Sequence, residues 1–131
     1  MLFTGRLAEP DLHAWYEAAT LFVHPTRYEG SSLVTLEAMA HRKAVVATMA
    51  GGLPDKVRPG ANGWLVPPCD PVALAAAIDD ALGDPLRLSS FGAKSRQIVE
   101  TEFAWSVLVE RYLELYDELL SRQKAQGRRQ K

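Results

Sequence analysis

The sequence is poor in the residues that build disulfide-linked and metal-dependent proteins. It has one cysteine, Cys69, and three histidines among 131 residues. An internal disulfide is therefore excluded, and the common cysteine–histidine zinc sites are not expected. A single cysteine is typical of proteins kept in a reducing compartment, so we expect a cytoplasmic protein.

Long apolar runs are absent as well. No stretch of about 18 uninterrupted apolar residues is present, so no transmembrane helix is predicted. The first ten residues lack the basic segment followed by an apolar segment that a secretory signal has. Hydrophobic residues make up 47% and charged residues 24% of the chain, which is typical of a folded globular protein. The length fits one domain with a core of its own.

Charge is unevenly distributed along the chain. All 16 acidic side chains lie in residues 1–121, whereas residues 122–131 hold five of the 15 basic ones. The acidic body indicates no nucleic-acid partner. The basic segment has the charge of one that contacts anionic lipid or RNA, and a solvated, frayed helix end is the simpler interpretation. We therefore divide the chain into residues 1–121 and a basic tail, residues 122–131.

Short apolar runs alternate with amphipathic stretches. Four runs predict buried strands: Leu2–Thr4, Leu21–His24, Ala44–Thr48 and Trp64–Val66. Nearly every residue in these runs is apolar, which is typical of parallel strands covered on both faces. The sequence therefore predicts an α/β fold of about four parallel strands with helices on both faces.

Helix start signals separate the first strands. Asp11 is expected to cap a helix that ends near Thr20. Ser31 or Ser32 is expected to cap a second helix that ends near Arg42. Both helices lie between predicted strands, as a parallel sheet requires.

Two further helices and a long C-terminal helix are predicted. The pairs Asp70-Pro71 and Asp84-Pro85 each combine a capping aspartate with a proline in the first turn. An apolar stripe then predicts a long C-terminal helix that packs on another surface. The stripe consists of Trp105, Leu108, Val109, Tyr112, Leu115, Tyr116, Leu119 and Leu120.

The segment Tyr28–Ala40 carries the most chemical information. It follows a predicted buried strand and begins a helix, which is where open α/β sheets bind ligands. Gly30 allows a ligand to approach the backbone, and Ser31, Ser32 and Leu33 have N–H groups at the helix N-terminus, where the dipole favours an anion. No acidic residue occupies the first turn, so we predict an anion site. An ordinary helix start with a serine cap is the alternative.

Glu37 lies in an otherwise apolar helix. Leu33 and Ala40 share its side of the helix, and an unpaired buried carboxylate is costly. Glu37 is therefore expected to contact a ligand or a dedicated partner; a buried salt bridge or a helix edge that faces water is the alternative. Glu29 precedes the helix, and we expect the two carboxylates to face one pocket from opposite sides.

A pair of glycines, Gly51-Gly52, follows the next predicted strand. If the strands are parallel, these glycines emerge at the same edge of the sheet as Glu29. Paired glycines allow a ligand to approach the backbone closely. A plain turn is the alternative interpretation of this loop.

The order of these motifs resembles glycosyltransferase family 4, the group 1 type of retaining glycosyltransferases with the GT-B fold. The resemblance covers about residues 2–115, and its most specific element is the pair Glu29 and Glu37, with seven residues between them. It implies a partial Rossmann-like GT-B C-terminal domain. The other matching segments are Glu37-Ala38-Met39-Ala40, Gly51-Gly52-Leu53-Pro54, Asn62-Gly63-Trp64-Leu65-Val66-Pro67 and Asp70-Pro71.

The resemblance also implies a role for each motif. Glu37 is expected to contact the ribose hydroxyls of a nucleotide sugar, and Glu29, as the catalytic residue, the reacting end of the donor sugar. The backbone from Gly30 to Leu33 is expected to approach the sugar and the diphosphate, with Gly51-Gly52 near the same donor pocket. The co-substrate is a nucleotide diphosphate sugar. Neither a metal nor another cofactor is implied.

The chain departs from the family pattern in three ways. Arg42 and Ala44 stand where the family usually has glycine and proline, so the loop there is expected to be less turned. Cys69 stands where the family often has glycine. The acceptor domain, the first strands of the donor domain and the basic side chains that grip the diphosphate are missing. We therefore expect the truncated C-terminal part of a larger enzyme.

Three functional interpretations stay open. The first is the donor-binding part of a glycosyltransferase, with the isolated chain inactive and prone to self-association, and with peripheral contact at the inner face of the membrane as a further expectation. The second is a stand-alone nucleotide-sugar-binding module, or half of a split enzyme. The third is an unrelated small α/β domain, such as a receiver or a flavodoxin-like protein.

Overall fold

The structure, a computed structural model, describes residues 1–129. The chain divides into two compact units, Met1–Val99 and Glu100–Lys131. The first unit contains a sheet of three parallel strands in the order β1-β2-β3. These strands are β1 Phe22–His24, β2 Val45–Thr48 and β3 Gly63–Val66.

Helices connect the strands and follow them. One turn of π-helix, Val99–Phe103, spans the sequence boundary between the two units. The α-helices are α1 Glu9–Ala18, α2 Leu33–Ala40, α3 Leu53–Lys56, α4 Pro71–Leu82, α5 Pro85–Ile98 and α6 Trp105–Arg129.

Both faces of the sheet are covered, as predicted. The register places Val23, Val46 and Trp64 on one face, and they form a core with the small residues of α4, such as Ala77 and Ala81. The other face packs against α1 and α2. There the ring of Tyr16 lies 6.0 Å from that of Phe22, and His24 contacts Thr35.

The prediction of four strands is wrong for the described residues, which contain three. Leu2–Thr4 has no strand assignment, and its residues are exposed. A strand forms only where a neighbouring strand accepts and donates its backbone hydrogen bonds. No neighbour pairs with Leu2–Thr4 within residues 1–129, so its apolar character alone does not create a strand.

Both Asp-Pro helix starts are confirmed. Asp70 accepts a hydrogen bond of 2.9 Å from the backbone N–H of Ala73 at the start of α4. Asp84 accepts one of the same length from the N–H of Arg87 at the start of α5. Each aspartate satisfies an N–H group that has no partner within its own helix.

The start of α1 differs from the prediction, and the end of α2 lies close to the predicted one. Helix α1 begins at Glu9, after Ala8, which makes no side-chain cap. Asp11 therefore lies inside the helix, because Pro10 already fits the first turn. Helix α2 ends at Ala40, two residues before Arg42, since Arg42 has a φ of 57°, outside the helical range.

Left-handed backbone occurs at both positions where the family pattern has glycine. Arg42 has a φ of 57° and Cys69 a φ of 62°. The Arg42 N–H donates to Met39 O at 3.0 Å, and the Lys43 N–H donates to Ala38 O at 3.1 Å, which closes the end of α2. The expectation of a less turned loop at Arg42 is therefore wrong: the turn forms although a side chain disfavours it.

The second unit contains the long helix α6, as predicted. Large apolar side chains of its stripe are exposed, among them Trp105 and Tyr116, so packing of this stripe on another surface stays a prediction. The basic tail is helical as far as Arg129, and residues 130 and 131 lie outside the described residues. Among the described helices, none is long and apolar enough to cross a membrane.

Candidate functional site

Two loops meet at the carboxyl edge of the sheet, one after β1 and one after β2. The Gly52 N–H donates to Gly30 O at 3.0 Å. A Cβ atom at Gly51, whose φ is 49°, would lie 1.5 Å from Glu29 O, and one at Gly52 would lie 2.7 Å from Gly30 O. Glycine is therefore required where the two backbone segments touch. The backbone that approaches these glycines is that of the neighbouring loop, and the approach of a ligand to Gly51-Gly52 stays a prediction.

His24, the last residue of β1, joins three parts of this edge. Its Nδ1 lies 3.1 Å from Thr35 Oγ1 and 3.2 Å from Ser32 Oγ at the start of α2. Its Nε2 lies 3.4 Å from Glu29 Oε2. The side chains of His24 and Glu29 are 17% and 24% exposed, so this pair is largely shielded from water. His24 is not among the predicted site residues, although it lies at the end of a predicted buried strand, where site residues are expected.

Helix α2 starts with a serine cap and an open first turn. Ser32 Oγ accepts hydrogen bonds from the Thr35 N–H at 3.3 Å and from Thr35 Oγ1 at 2.9 Å. Ser31 and Leu33, the residues on either side of the cap, are exposed, and no acidic residue occupies the first turn. The positive end of the helix dipole therefore faces solvent next to Gly30.

Lys56 adds a cation that sequence analysis missed. Its side chain is buried, with a residue exposure of 2%. Its Nζ donates to Ser31 Oγ at 3.1 Å and to Gly52 O at 3.4 Å. Lys56 reaches this position from the short helix α3. Its partner Ser31 lies 25 residues earlier in the sequence, so no local sequence pattern indicates the contact.

Glu37 has a dedicated partner, one of the outcomes expected for it. The hydroxyl of Tyr16 donates to Glu37 Oε2 at 3.0 Å, and the glutamate is half-buried. Burial, followed by the hydrogen bond and the charge of Glu37, raises the pKa of Tyr16 to about 12. The tyrosine is therefore a neutral donor near pH 7. Glu29 and Glu37 thus have different partners: Glu29 lies within ion-pair distance of His24, and Glu37 accepts a hydrogen bond from Tyr16.

A cavity of about 410 Å³ opens at the same edge of the sheet. Pro25 follows β1, Thr48 ends β2 and Pro67 follows β3, and all three line it. Neither Glu29 nor Glu37 is part of its lining. In the part of the chain that the structure describes, no three His, Cys, Asp or Glu side chains are grouped to hold a metal ion.

Comparison with known sequences gives consistent matches. The family model described as "Glycosyl transferases group 1" matches residues 1–84. The chain is 43% identical over 107 residues to D-inositol 3-phosphate glycosyltransferase 1 of Catenulispora acidiphila, which is 82% of this chain and 25% of that protein. It is 39% identical over 104 residues to the lipopolysaccharide core biosynthesis mannosyltransferase LpcC of Rhizobium leguminosarum, 79% of this chain and 29% of that protein.

Solved structures match in the same way. Sucrose-phosphate synthase from Thermosynechococcus elongatus superposes with a TM-score of 0.82 at 37% identity, over 92% of this chain and 30% of that one. Anabaena HepE in complex with UDP and glucose superposes with a TM-score of 0.79 at 27% identity, over 89% of this chain and 32% of that one.

These comparisons agree with the predicted α/β fold class and its parallel sheet. The chain spans about a quarter to a third of the length of the relatives it matches. The family model covers more than half of the chain. The chain therefore belongs to the glycosyl transferases group 1 family.

Proposed function

We propose that this chain is the C-terminal, donor-binding portion of a retaining glycosyltransferase of family 4, truncated relative to the complete enzyme. The complete protein would transfer a sugar from a nucleotide diphosphate sugar to an acceptor. Relatives named as glycosyltransferases and the HepE complexes with UDP and UDP-glucose support a nucleotide-sugar donor. The acceptor domain would lie in the part of the relatives that this chain does not match.

The meeting of the two loops beside α2 carries this proposal. Gly30 and Gly52 are joined by a backbone hydrogen bond, so the edge of the sheet presents one continuous backbone surface. The exposed serine Ser31 and the open N-terminus of α2 lie on this surface. Backbone N–H groups and a helix dipole at such a place bind phosphate groups, which fits the diphosphate of the donor.

The two glutamates would then divide the remaining recognition. Glu37 would accept hydrogen bonds from the ribose hydroxyls, and Glu29 would lie at the reacting end of the donor sugar. Glu29 is held by His24, which fits a group that must keep a defined orientation during transfer. The backbone from Gly30 to Leu33 and the pair Gly51-Gly52 would enclose the sugar and diphosphate. The proposal requires no metal ion and no other cofactor.

Location and partners follow from the same proposal. The single cysteine Cys69 fits a reducing compartment, so we place the enzyme in the cytoplasm. The basic tail would hold it against the anionic inner face of a membrane. A stand-alone binding module, or half of a split enzyme, would share the donor site but lack transfer activity.

Conservative variants of the two glutamates test the proposal. In the full-length protein, Glu37→Gln is expected to weaken donor binding by about tenfold to a hundredfold, because a hydrogen bond to a charged group contributes about 1.5–3 kcal/mol. Glu29→Gln is expected to lower turnover more than donor affinity, since its contact strengthens in the transition state. UDP- and GDP-sugars are titrated by calorimetry, and turnover is measured separately.

A matched control separates the site from the fold. Glu9→Gln changes a carboxylate on α1 that is 85% exposed, and it should leave the dissociation constant unchanged. Thermal melting reports on folding for all three variants. If Glu37→Gln binds donor as tightly as the wild type does, or only fails to fold, Glu37 is a structural carboxylate and the site assignment is wrong.

A further inference from the structure

One hydrogen bond joins α1 to the proposed donor site. The Tyr16 hydroxyl lies 3.0 Å from Glu37 Oε2 and also lies 3.5 Å from Val34 O. The distance to the carboxylate is the shorter, and a carboxylate is the stronger acceptor, so the single hydroxyl proton is directed mainly to Glu37. The contact spans 21 residues of sequence.

The ring of Tyr16 is held in place from two sides. It stacks on His41, with ring centroids 5.5 Å apart and an angle of 17° between the planes. Phe22 of β1 contacts it at a centroid distance of 6.0 Å. The residue is only 7% exposed. Because packing fixes the ring, the hydroxyl at its end has little freedom, and Glu37 receives its hydrogen bond from a fixed direction.

This contact leaves half of the carboxylate available. An ionised carboxylate has two oxygens that each accept hydrogen bonds, and Tyr16 occupies Oε2. No hydrogen bond to Oε1 of Glu37 is formed by the described residues. Two neighbouring hydroxyls of a ribose ring need acceptors at a defined position and angle. A glutamate with one oxygen already held in place meets this need. Because its rotamer is fixed before the ligand binds, binding costs less side-chain entropy.

We infer that Tyr16 is a positioning residue that orients Glu37 for the vicinal hydroxyls of a ribonucleotide. The inference rests on the proposed function, because it takes the ribose as the ligand of Glu37. Its consequence is selectivity: the site should prefer ribonucleotides to nucleotides that lack these hydroxyls, and part of that preference should depend on the hydroxyl of Tyr16.

The test compares ribonucleotides with their dideoxy forms in two tyrosine variants. UDP, GDP and their 2′,3′-dideoxy forms are titrated into the full-length protein. Tyr16→Phe keeps the ring that packs on His41 and removes only the hydroxyl. We expect it to weaken binding of the ribonucleotide by about threefold to tenfold and to leave the dideoxynucleotide unchanged. Tyr116→Phe is the matched control, because Tyr116 on α6 is 61% exposed, and it should change neither.

The outcomes separate this inference from the proposed function. If Glu37→Gln weakens ribonucleotide binding and Tyr16→Phe does not, the positioning role is wrong and the donor site stands. If Tyr16→Phe weakens both nucleotides equally, Tyr16 supports the fold only, which also overturns the inference. If Glu37→Gln has no effect on either nucleotide, the proposed site itself is wrong.

A measurement on the wild type covers the case in which Tyr16→Phe does not fold. With ¹³C-labelled tyrosine, the Cζ resonance of Tyr16 reports on the hydrogen bond to Glu37. Saturating ribonucleotide should shift it, because new hydrogen bonds at Oε1 weaken Oε2 as an acceptor. The dideoxynucleotide should not. Equal shifts with both nucleotides, or none with either, would contradict the inference.

Discussion

His24 Nε2 lies 3.4 Å from Glu29 Oε2, while Nδ1 of the same ring lies 3.1 Å from Thr35 Oγ1. The last residue of β1 therefore connects Glu29 to the first turn of α2. Both side chains are largely shielded from water, so the contact limits the positions that the Glu29 carboxylate adopts.

Loss of this contact should affect turnover first. In the full-length protein we expect His24→Gln to lower kcat by about tenfold, which corresponds to about 1.4 kcal/mol, because it removes the imidazole that contacts the Glu29 carboxylate. Donor affinity should change less. Lys94→Gln is the control, since Lys94 is exposed on α5 and its Nζ donates to Gln97 Oε1. Equal effects of the two variants on kcat would show that His24 does not orient Glu29.

The left-handed residue Arg42 predicts a stabilising substitution. Arg42 is exposed and has a φ of 57°, a conformation that costs a residue with a side chain about 1–2 kcal/mol. Arg42→Gly should therefore raise the free energy of unfolding by about 1 kcal/mol, measured by urea unfolding. Arg27→Gly, at another exposed arginine that is not among the left-handed positions, should lower it instead. A loss of stability in Arg42→Gly would contradict the prediction.

The contact between the two loops predicts a damaging substitution at Gly51. A Cβ atom there would lie 1.5 Å from Glu29 O, so Gly51→Ala must displace the Glu29 loop. We expect stability to fall by more than about 2 kcal/mol, from backbone strain and overpacking together, and donor binding to weaken.

Gly60→Ala isolates the strain from the clash. Gly60 also has a positive φ, of 77°, but a Cβ atom there would have nothing within 4 Å. The loss of stability in Gly60→Ala should therefore come only from the strained backbone conformation. If both variants lose the same stability in urea unfolding, the loop contact at Gly51 contributes nothing beyond conformation.

Part of the loss of folding stability at acidic pH should arise at Asp80. Hydrogen bonds from Arg87 and from Trp64 hold the pKa of Asp80 below its ordinary value of 3.8, at distances of 2.9 Å and 2.7 Å. A carboxylate whose pKa is lowered by folding stabilises the folded state above the unfolded pKa. This contribution is lost as the pH falls from 3.8 through the folded-state value.

Asp80→Asn should therefore remove part of the pH dependence of stability below about pH 4. Unfolding in urea is measured from neutral pH to strongly acidic pH. The variant should be less stable than the wild type at neutral pH, with the difference narrowing in acid. Asp79→Asn changes the neighbouring exposed carboxylate and serves as the control. If the difference in unfolding free energy between the wild type and Asp80→Asn is constant across this pH range, Asp80 is not a source of the pH dependence.

Local signals were sufficient for much of the fold. The capping residues Ser32, Asp70 and Asp84 marked three helix starts because a cap needs only backbone N–H groups two or three residues away. Apolar runs marked β1, β2 and β3 as buried parallel strands. The strand predicted at Leu2–Thr4 failed for the opposite reason, since strand formation depends on a distant partner that no local run of residues reveals.

The sequence by itself determined the family, the α/β fold class and the pair Glu29 and Glu37, because these depend on spacing along the chain. Only the tertiary structure decided which groups those glutamates meet. Tyr16 reaches Glu37 across 21 residues, and Lys56 reaches Ser31 across 25. Such partners depend on how the helices pack on the sheet. Side-chain hydrogen bonds join elements that the core brings together, and their order in the sequence does not reveal which elements those are.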